Sequence, residues 1–233
     1  MKLRELRPHQ QKMLEYAKTK DKVAFFVEMR LGKSAVAIRW AKEKPGIHLI
    51  VAPLTVLPSW EEELALEGHH AVLYVKDVIK KEGKLQRPFF RTENTWFLVN
   101  YEAIRSKPEI LSLGWTTIIC DESTKIRNPQ AQITKLLIKE STDCRKAILS
   151  GLPNPESALD YFSQMQFLHG KFMGFESYWS FREKLFWAPQ YAPYDFSPRL
   201  GVLNRIKEYI HKNAFVMTRK EAGVGPKKIY EKR

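Results

Sequence analysis

Along the first two-thirds of the chain, short apolar runs alternate with stretches in which apolar residues recur every three or four positions. The apolar runs are "VAFFV" (23–27), "HLIVA" (48–52), "AVLYV" (71–75), "WFLVN" (96–100), "TTIIC" (116–120) and "KAILS" (146–150). They are nearly continuous in apolar character, which predicts strands buried on both faces. Helical periodicity fills the intervals in "SAVAIRWAKEK", "PSWEEELALEG" and "QITKLLIKES". Strands interleaved with helices predict an α/β fold, a mostly parallel sheet with helices on both faces. Beyond Leu168 the texture changes. Residues 169–201 are rich in aromatics and proline without clean periodicity, and a helical pattern returns in "VLNRIKEYIHKNAF". The final "GVGPKKIYEKR" has the composition of a linker. The pattern divides the chain at 1–168, 169–217 and 218–233, with no internal repeat.

Composition narrows the partners. The chain has 233 residues, is 44% hydrophobic, and carries a net charge of +13. It can bury a substantial core, and its charge favours a polyanionic partner, nucleic acid first and acidic membrane second. A solvated basic surface is the plainer alternative. Cys120 and Cys144 are too few for a disulfide framework and lack metal-ligand spacing. The N-terminus is charged throughout, and no apolar run approaches the ~20 residues that cross a bilayer. These features predict a soluble, cytoplasmic protein with no membrane partner.

Two stretches carry chemistry. In "VEMRLGKS" a predicted strand runs into Gly32-Lys33-Ser34 and a helix follows at once. Glycine permits close approach of backbone to phosphate, lysine suits β- and γ-phosphates, and a hydroxyl suits Mg2+. The full phosphate-loop pattern has a further glycine where Val27 stands, so by itself this is half a motif, and an ordinary turn fits it equally. The second stretch is "TTIICDEST", an apolar strand ending in Asp121-Glu122. A carboxylate there can hold Mg2+ through its waters, and its neighbour can orient the attacking water. An acidic pair after a strand is also a common helix cap. Both half-motifs, in the right order and on the right elements, point to Mg2+-dependent nucleotide hydrolysis; ATP as the nucleotide follows from the resemblance below.

These residues resemble the first RecA-like P-loop NTPase domain of the superfamily-two helicases, in the Swi/Snf-type branch of DNA translocases. "LRPHQQKMLEYA" resembles that family's Q-motif region, "VEMRLGKSAVAI" its motif I, "VAPLTVLPSWEEEL" Ia and "LVNYEAI" Ib. "IICDESTKIRNP" resembles motif II and "AILSGLPNPESALDYFSQMQFL" motif III with the helix after it. The resemblance implies that Gln10, helped by Arg7, reads adenine. It places Arg30, Leu31, Gly32, Lys33 and Ser34 around the phosphates, with Ser34 and Asp121 at the metal and Lys33, Asp121 and Glu122 in catalysis. It implies that Thr124, Ser150 and Gly151 couple ATP state to movement. Pro53, Leu54, Thr55, Asn100 and Tyr101 are implied as sequence-tolerant contacts to duplex DNA phosphates. Thr55 as a helix cap and Tyr101 as packing are the simpler readings.

The sequence departs from the family at three places. Arg30 replaces the motif I glycine, Asp-Glu-Ser-Thr stands for the usual Asp-Glu-Ala-His, and Ser150-Gly151-Leu152-Pro153 for Thr-Gly-Thr-Pro. The tail resembles the segment leading to a second RecA-like domain, which would complete the motor. The chain therefore looks like one weakly active lobe, and its compact form suggests a bacterial or phage version. An RNA-directed motor of the same superfamily and a nucleotide-dependent DNA scaffold that does not move remain alternatives. The aromatic cluster from Phe172 to Trp187 is expected to be a satellite core, with base stacking as the rival reading.

Overall fold

The computed structural model describes residues 4–69, 72–74, 94–140, 144–151, 157–191 and 195–225. Its centre is a sheet of β1 (Lys22–Val27), β2 (Ile47–Ala52), β3 (Val72–Tyr74), β4 (Thr95–Asn100), β5 (Thr117–Cys120), β6 (Arg145–Ser150) and β9 (Phe215–Met217). The spatial order is β3-β4-β2-β5-β6-β1-β9, and every pairing is parallel. All six strands expected from the apolar runs are present. The seventh, β9, is a correction to the sequence reading. Phe215–Met217 leaves the expected appendage and pairs beside β1, in register Val27↔Met217.

The pleat sends alternate residues of each strand to opposite faces. Ala24 and Phe26 of β1 join one buried cluster with Val51, Val99, Ile118 and Ile148. Val23, Phe25 and Val27 join the other with Ile50, Leu98, Ile119 and Leu149. The second face is covered by α1 (Pro8–Lys18), α2 (Lys33–Lys42) and α3 (Leu57–Leu66). α2 presents Ala35, Ala37 and Ala41 among its buried residues, and side chains that small let it lie close to the strands. The first face carries α4 (Tyr101–Ser106), α5 (Gln132–Glu140) and α6 (Tyr161–His169).

The aromatic region packs on that same face. α7 (Tyr178–Leu185) and α8 (Val202–Asn213) flank a two-stranded ribbon of β7 (Phe186–Trp187) and β8 (Ser197–Pro198). Phe172, Phe181, Ile206 and Ile210 share one buried cluster with Phe26 and Ile148 of the sheet. Phe172 and Phe181 lie 5.2 Å apart between ring centroids, and Phe162 of α6 stands 5.1 Å from Phe181. The satellite-core expectation describes these residues well. It does not describe Trp179 and Trp187, each 49% exposed.

Candidate nucleotide site at the strand ends

The carboxyl ends of β1 and β5 lie on either side of β6, where doubly wound sheets hold ligands. β1 ends at Val27, and α2 begins at Lys33 after a five-residue loop. Two loop residues are left-handed, Arg30 at φ 67° and Gly32 at φ 74°. Gly32 is the N-cap of α2, so the first amides of the helix face the loop mouth. The positive φ favours glycine there, and a side chain would have to displace Gln10. A Cβ on Gly32 would sit 1.9 Å from Nε2 of Gln10.

α1 holds this loop in place. The backbone amide of Arg7 donates to Oε1 of Gln10 at 2.9 Å, fixing which end of the Gln10 amide faces Gly32. Nε2 of His9 lies 3.1 Å from the Leu31 carbonyl. Leu31 itself is buried in the core and anchors the loop from below, while Arg30 and Arg7 are exposed. Ser34 is half-buried at the start of α2.

Lys33 reaches back across the loop. Its ammonium donates to the Val27 carbonyl at 2.8 Å and lies 3.4 Å from that of Glu28. Burial lowers its pKa, opposed by the negative charges of Asp121 and Glu122. Burial raises both acids in turn. Asp121 is steadied by the indole N–H of Trp60, the amide of Glu122 and the charge of Lys33. Glu122 is raised further by Asp121 and drawn back by Lys33 and Lys125. The three groups are therefore near enough to act on one another's charge.

The acidic pair is rigidly mounted. Trp60 donates from Nε1 to Oδ2 of Asp121 at 2.8 Å, and the Glu122 amide donates to Oδ1 at 2.9 Å. The Tyr101 hydroxyl donates to the Asp121 carbonyl at 2.7 Å, and the Asp121 amide to Val51 O at 2.8 Å. Glu122 is left-handed at φ 48°, the second strained non-glycine residue of the site. Strain of this kind persists where the surroundings over-determine the backbone.

Sequence reasoning missed Trp60. It lies in the stretch likened to motif Ia, where only Pro53, Leu54 and Thr55 were expected to act, and nothing local ties it to an aspartate 61 positions away. It also missed Ser123, whose buried hydroxyl donates to Oε1 of Gln164 at 2.6 Å and so links motif II to α6. The expected coupling residues sit differently. Thr124 turns back to the Glu122 carbonyl at 3.5 Å, a marginal bond within its own motif. Ser150 is buried at the end of β6. Gly151 lies against the β1–α2 loop, where a Cβ would meet Cγ of Met29 at 2.7 Å. Leu152 to Glu156 lie outside the described residues.

The expected DNA contacts divide. Leu54 and Thr55 are exposed after β2, and Pro53 is half-buried. Thr55 is not the N-cap of α3, which is Val56. Asn100 caps α4, accepting from the Ala103 amide at 3.3 Å. Tyr101 is buried and its hydroxyl is engaged, so its side chain serves packing. The stretch from Thr218 to Gly225, expected as linker, meets the β1–α2 loop through Arg219. Glu28 donates its amide to the Met217 carbonyl at 3.0 Å, and its carboxylate accepts the Arg219 amide.

The model of the SNF2-related domain family matches residues 8–208. The chain belongs to the SNF2-related domain family. It is 29% identical over 149 residues to the probable ATP-dependent DNA helicase CHR23 of Arabidopsis thaliana, covering 60% of this chain and 14% of that protein. It is 25% identical over 177 residues to the ISWI chromatin-remodeling complex ATPase ISW1 of Saccharomyces cerevisiae, covering 70% and 16%. The chain thus spans about one-sixth or less of these relatives' length. The Sulfolobus solfataricus SWI2/SNF2 ATPase core solved with dsDNA shares the fold, at a TM-score of 0.73 and 23% identity. That match covers 95% of this SNF2-related chain and 46% of the solved one. The sheet is RecA-like. A bacterial or phage origin finds no support among these relatives. No helix among the described residues is long and apolar enough to cross a membrane.

Proposed function

We propose that this chain is the first ATP-binding lobe of an ATP-dependent motor that moves on duplex DNA. The observation that carries the reading is that Lys33, at the N-terminus of α2, and the Asp121–Glu122 pair after β5 flank β6 and feel one another's charge. The residues present fit a magnesium nucleotide. The Gly32 turn carries no Cβ beside its amides, and a divalent charge next to buried Asp121 and half-buried Glu122 would offset the desolvation that raises both carboxyls. Bound ATP with Mg2+ would supply the phosphoanhydride whose hydrolysis drives movement.

Within that reading each residue has a distinct task. Lys33 leaves the Val27 carbonyl to neutralise β- and γ-phosphate oxygens. Ser34 and Asp121 would hold the metal and its waters, while Glu122 would orient the attacking water and accept its proton. Gln10, with Arg7 nearby, selects adenine. Gly151 under Met29 and Ser123 on Gln164 connect the loop and motif II to the end of β6 and to α6. Thr55 and Asn100, at the carboxyl ends of β2 and β4, suit phosphate contact without base reading. A second RecA-like lobe would supply the arginine that stabilises transition-state charge.

The test uses the full-length protein. ATP turnover is measured with double-stranded DNA, single-stranded DNA and RNA, together with displacement of a bound third strand. Duplex-stimulated turnover with displacement supports the motor. Stimulation by RNA alone points to an RNA-directed relative, and DNA binding without ATP-dependent displacement to a scaffold. Glu122→Gln should abolish turnover and spare ATP binding.

A further inference from the structure

The aromatic region holds a second candidate site, outside every motif above. α7 has two aromatic faces. Phe181 and Leu185 turn inward and complete the core. Trp179 and Arg182 turn outward, so packing leaves them available. With Trp187, Phe196 and Arg199 they line an open groove of about 390 Å3. The β7–β8 ribbon forms its other wall, with Trp187 opposite Ser197.

The groove pairs flat rings with cations. The Arg182 guanidinium lies 4.5 Å from the Trp179 ring centroid and 4.2 Å from that of Phe196. Stacking of this kind fixes the plane of the guanidinium, whose N–H groups beyond the hydrogen bond to Tyr178 can meet an oxyanion. Arg199 is held by its own amide, which donates to the Leu185 carbonyl at 2.9 Å. Glu183 is the one carboxylate among the lining residues, against two guanidinium groups. Trp179 and Trp187 each keep about half their surface in water, 49% for both.

We infer that this groove binds an unpaired segment of nucleic acid, with bases stacked on Trp179 and Trp187 and phosphates on Arg182 and Arg199. The chemistry selects that occupant. An acidic peptide would satisfy the guanidinium groups and leave the indole faces unmatched. A proline-rich peptide would cover the indoles and leave the positive charge uncompensated. A nucleotide brings an anion and a flat π-face together, and every base has such a face. A duplex hides its base faces, so the groove should discriminate against it. The inference does not rest on the motor reading, because it uses none of the nucleotide-site residues.

The experiment measures binding of the chain to fluorescein-labelled oligo(dT) and to a labelled hairpin duplex, at matched salt. Trp187→Ala and Trp179→Ala are each expected to weaken oligo(dT) binding about tenfold, the loss of one stacked base. Trp187→Phe should restore most of it, and duplex affinity should hold in all three. Photocrosslinking of an oligo(dT) bearing 5-iododeoxyuridine to the unsubstituted chain gives a readout independent of variant folding. Crosslinks are expected on peptides containing Trp179 or Trp187. Crosslinks elsewhere, unchanged oligo(dT) binding in both alanine variants, equal loss of duplex binding, or competition by poly-glutamate but not by unlabelled oligo(dT) would each overturn the inference. Loss of ATP hydrolysis in Glu122→Gln with oligo(dT) binding intact would separate the two readings.

Discussion

Replacing Trp60 with Phe removes one N–H from Asp121 and keeps most of the ring. In the structure that N–H meets Oδ2 at 2.8 Å, and Trp60 is 1% exposed. A hydrogen bond to a charged group contributes ~1.5–3 kcal/mol, which is ~10–150-fold in an equilibrium constant. Burial already raises the Asp121 pKa, and the indole is the foremost influence opposing that rise. Without it the carboxyl moves up again, so at any given pH a larger fraction is protonated and unable to hold a divalent ion. The Mg2+ concentration that half-saturates binding of a fluorescent ATP analogue should therefore rise, reaching about tenfold or more at pH values low enough that the carboxyl is mostly protonated. The deficit should widen as pH falls and narrow as pH rises, because deprotonation restores the carboxylate. The assay is a Mg2+ titration at several pH values, with a thermal melt to confirm folding. If Trp60→Phe matches the parent at every pH while Trp60→Ala is impaired, the indole only fills space and the reasoning fails.

Three further outcomes follow from named contacts. Arg30→Gly should raise folding stability by up to about 1 kcal/mol in a urea melt, since relief of left-handed strain exceeds the extra freedom glycine has when unfolded; a loss would mean the Arg30 side chain holds the loop. Glu28→Ala should free the Arg219 amide, whose hydrogen exchange should quicken about fivefold, while amides in α8 stay unchanged. His48 is buried beside Trp96 with its pKa pushed down to about 4 from 6.5, so the unfolded chain binds more protons between those values. Stability is full above pH 6.5 and should fall by as much as ~3 kcal/mol as pH drops to 4. His48→Gln should flatten that slope in urea melts whatever it does to the absolute stability.

The sheet was legible because its strands are apolar on both faces, as parallel strands covered by helices must be. β9 was not. Phe215–Met217 is three residues long and follows a helix without a turn signal, and only its partner β1 identifies it as a strand. α7 was obscured because aromatics occupy both its inner and outer faces, which erases the one-sided stripe that marks a helix. In the site, the residues that would touch the nucleotide were visible because their chemistry fixes residue type and spacing. The residues that hold them, Trp60 on Asp121 and Gln164 on Ser123, join segments far apart in sequence. Any apolar or amide residue in an ordinary helix looks the same until the fold brings its partner near. Tyr101 shows the converse, a tyrosine at a strand end whose hydroxyl the fold turns inward.

The most direct test of the shared pocket is a calorimetric titration of ATP, with and without Mg2+, into the chain and into Lys33→Ala and Asp121→Asn. Tighter binding with Mg2+, and a loss of about tenfold or more in each variant, is the predicted result. Binding that ignores Mg2+, or that survives both substitutions unchanged, would contradict the convergence of these groups on one nucleotide.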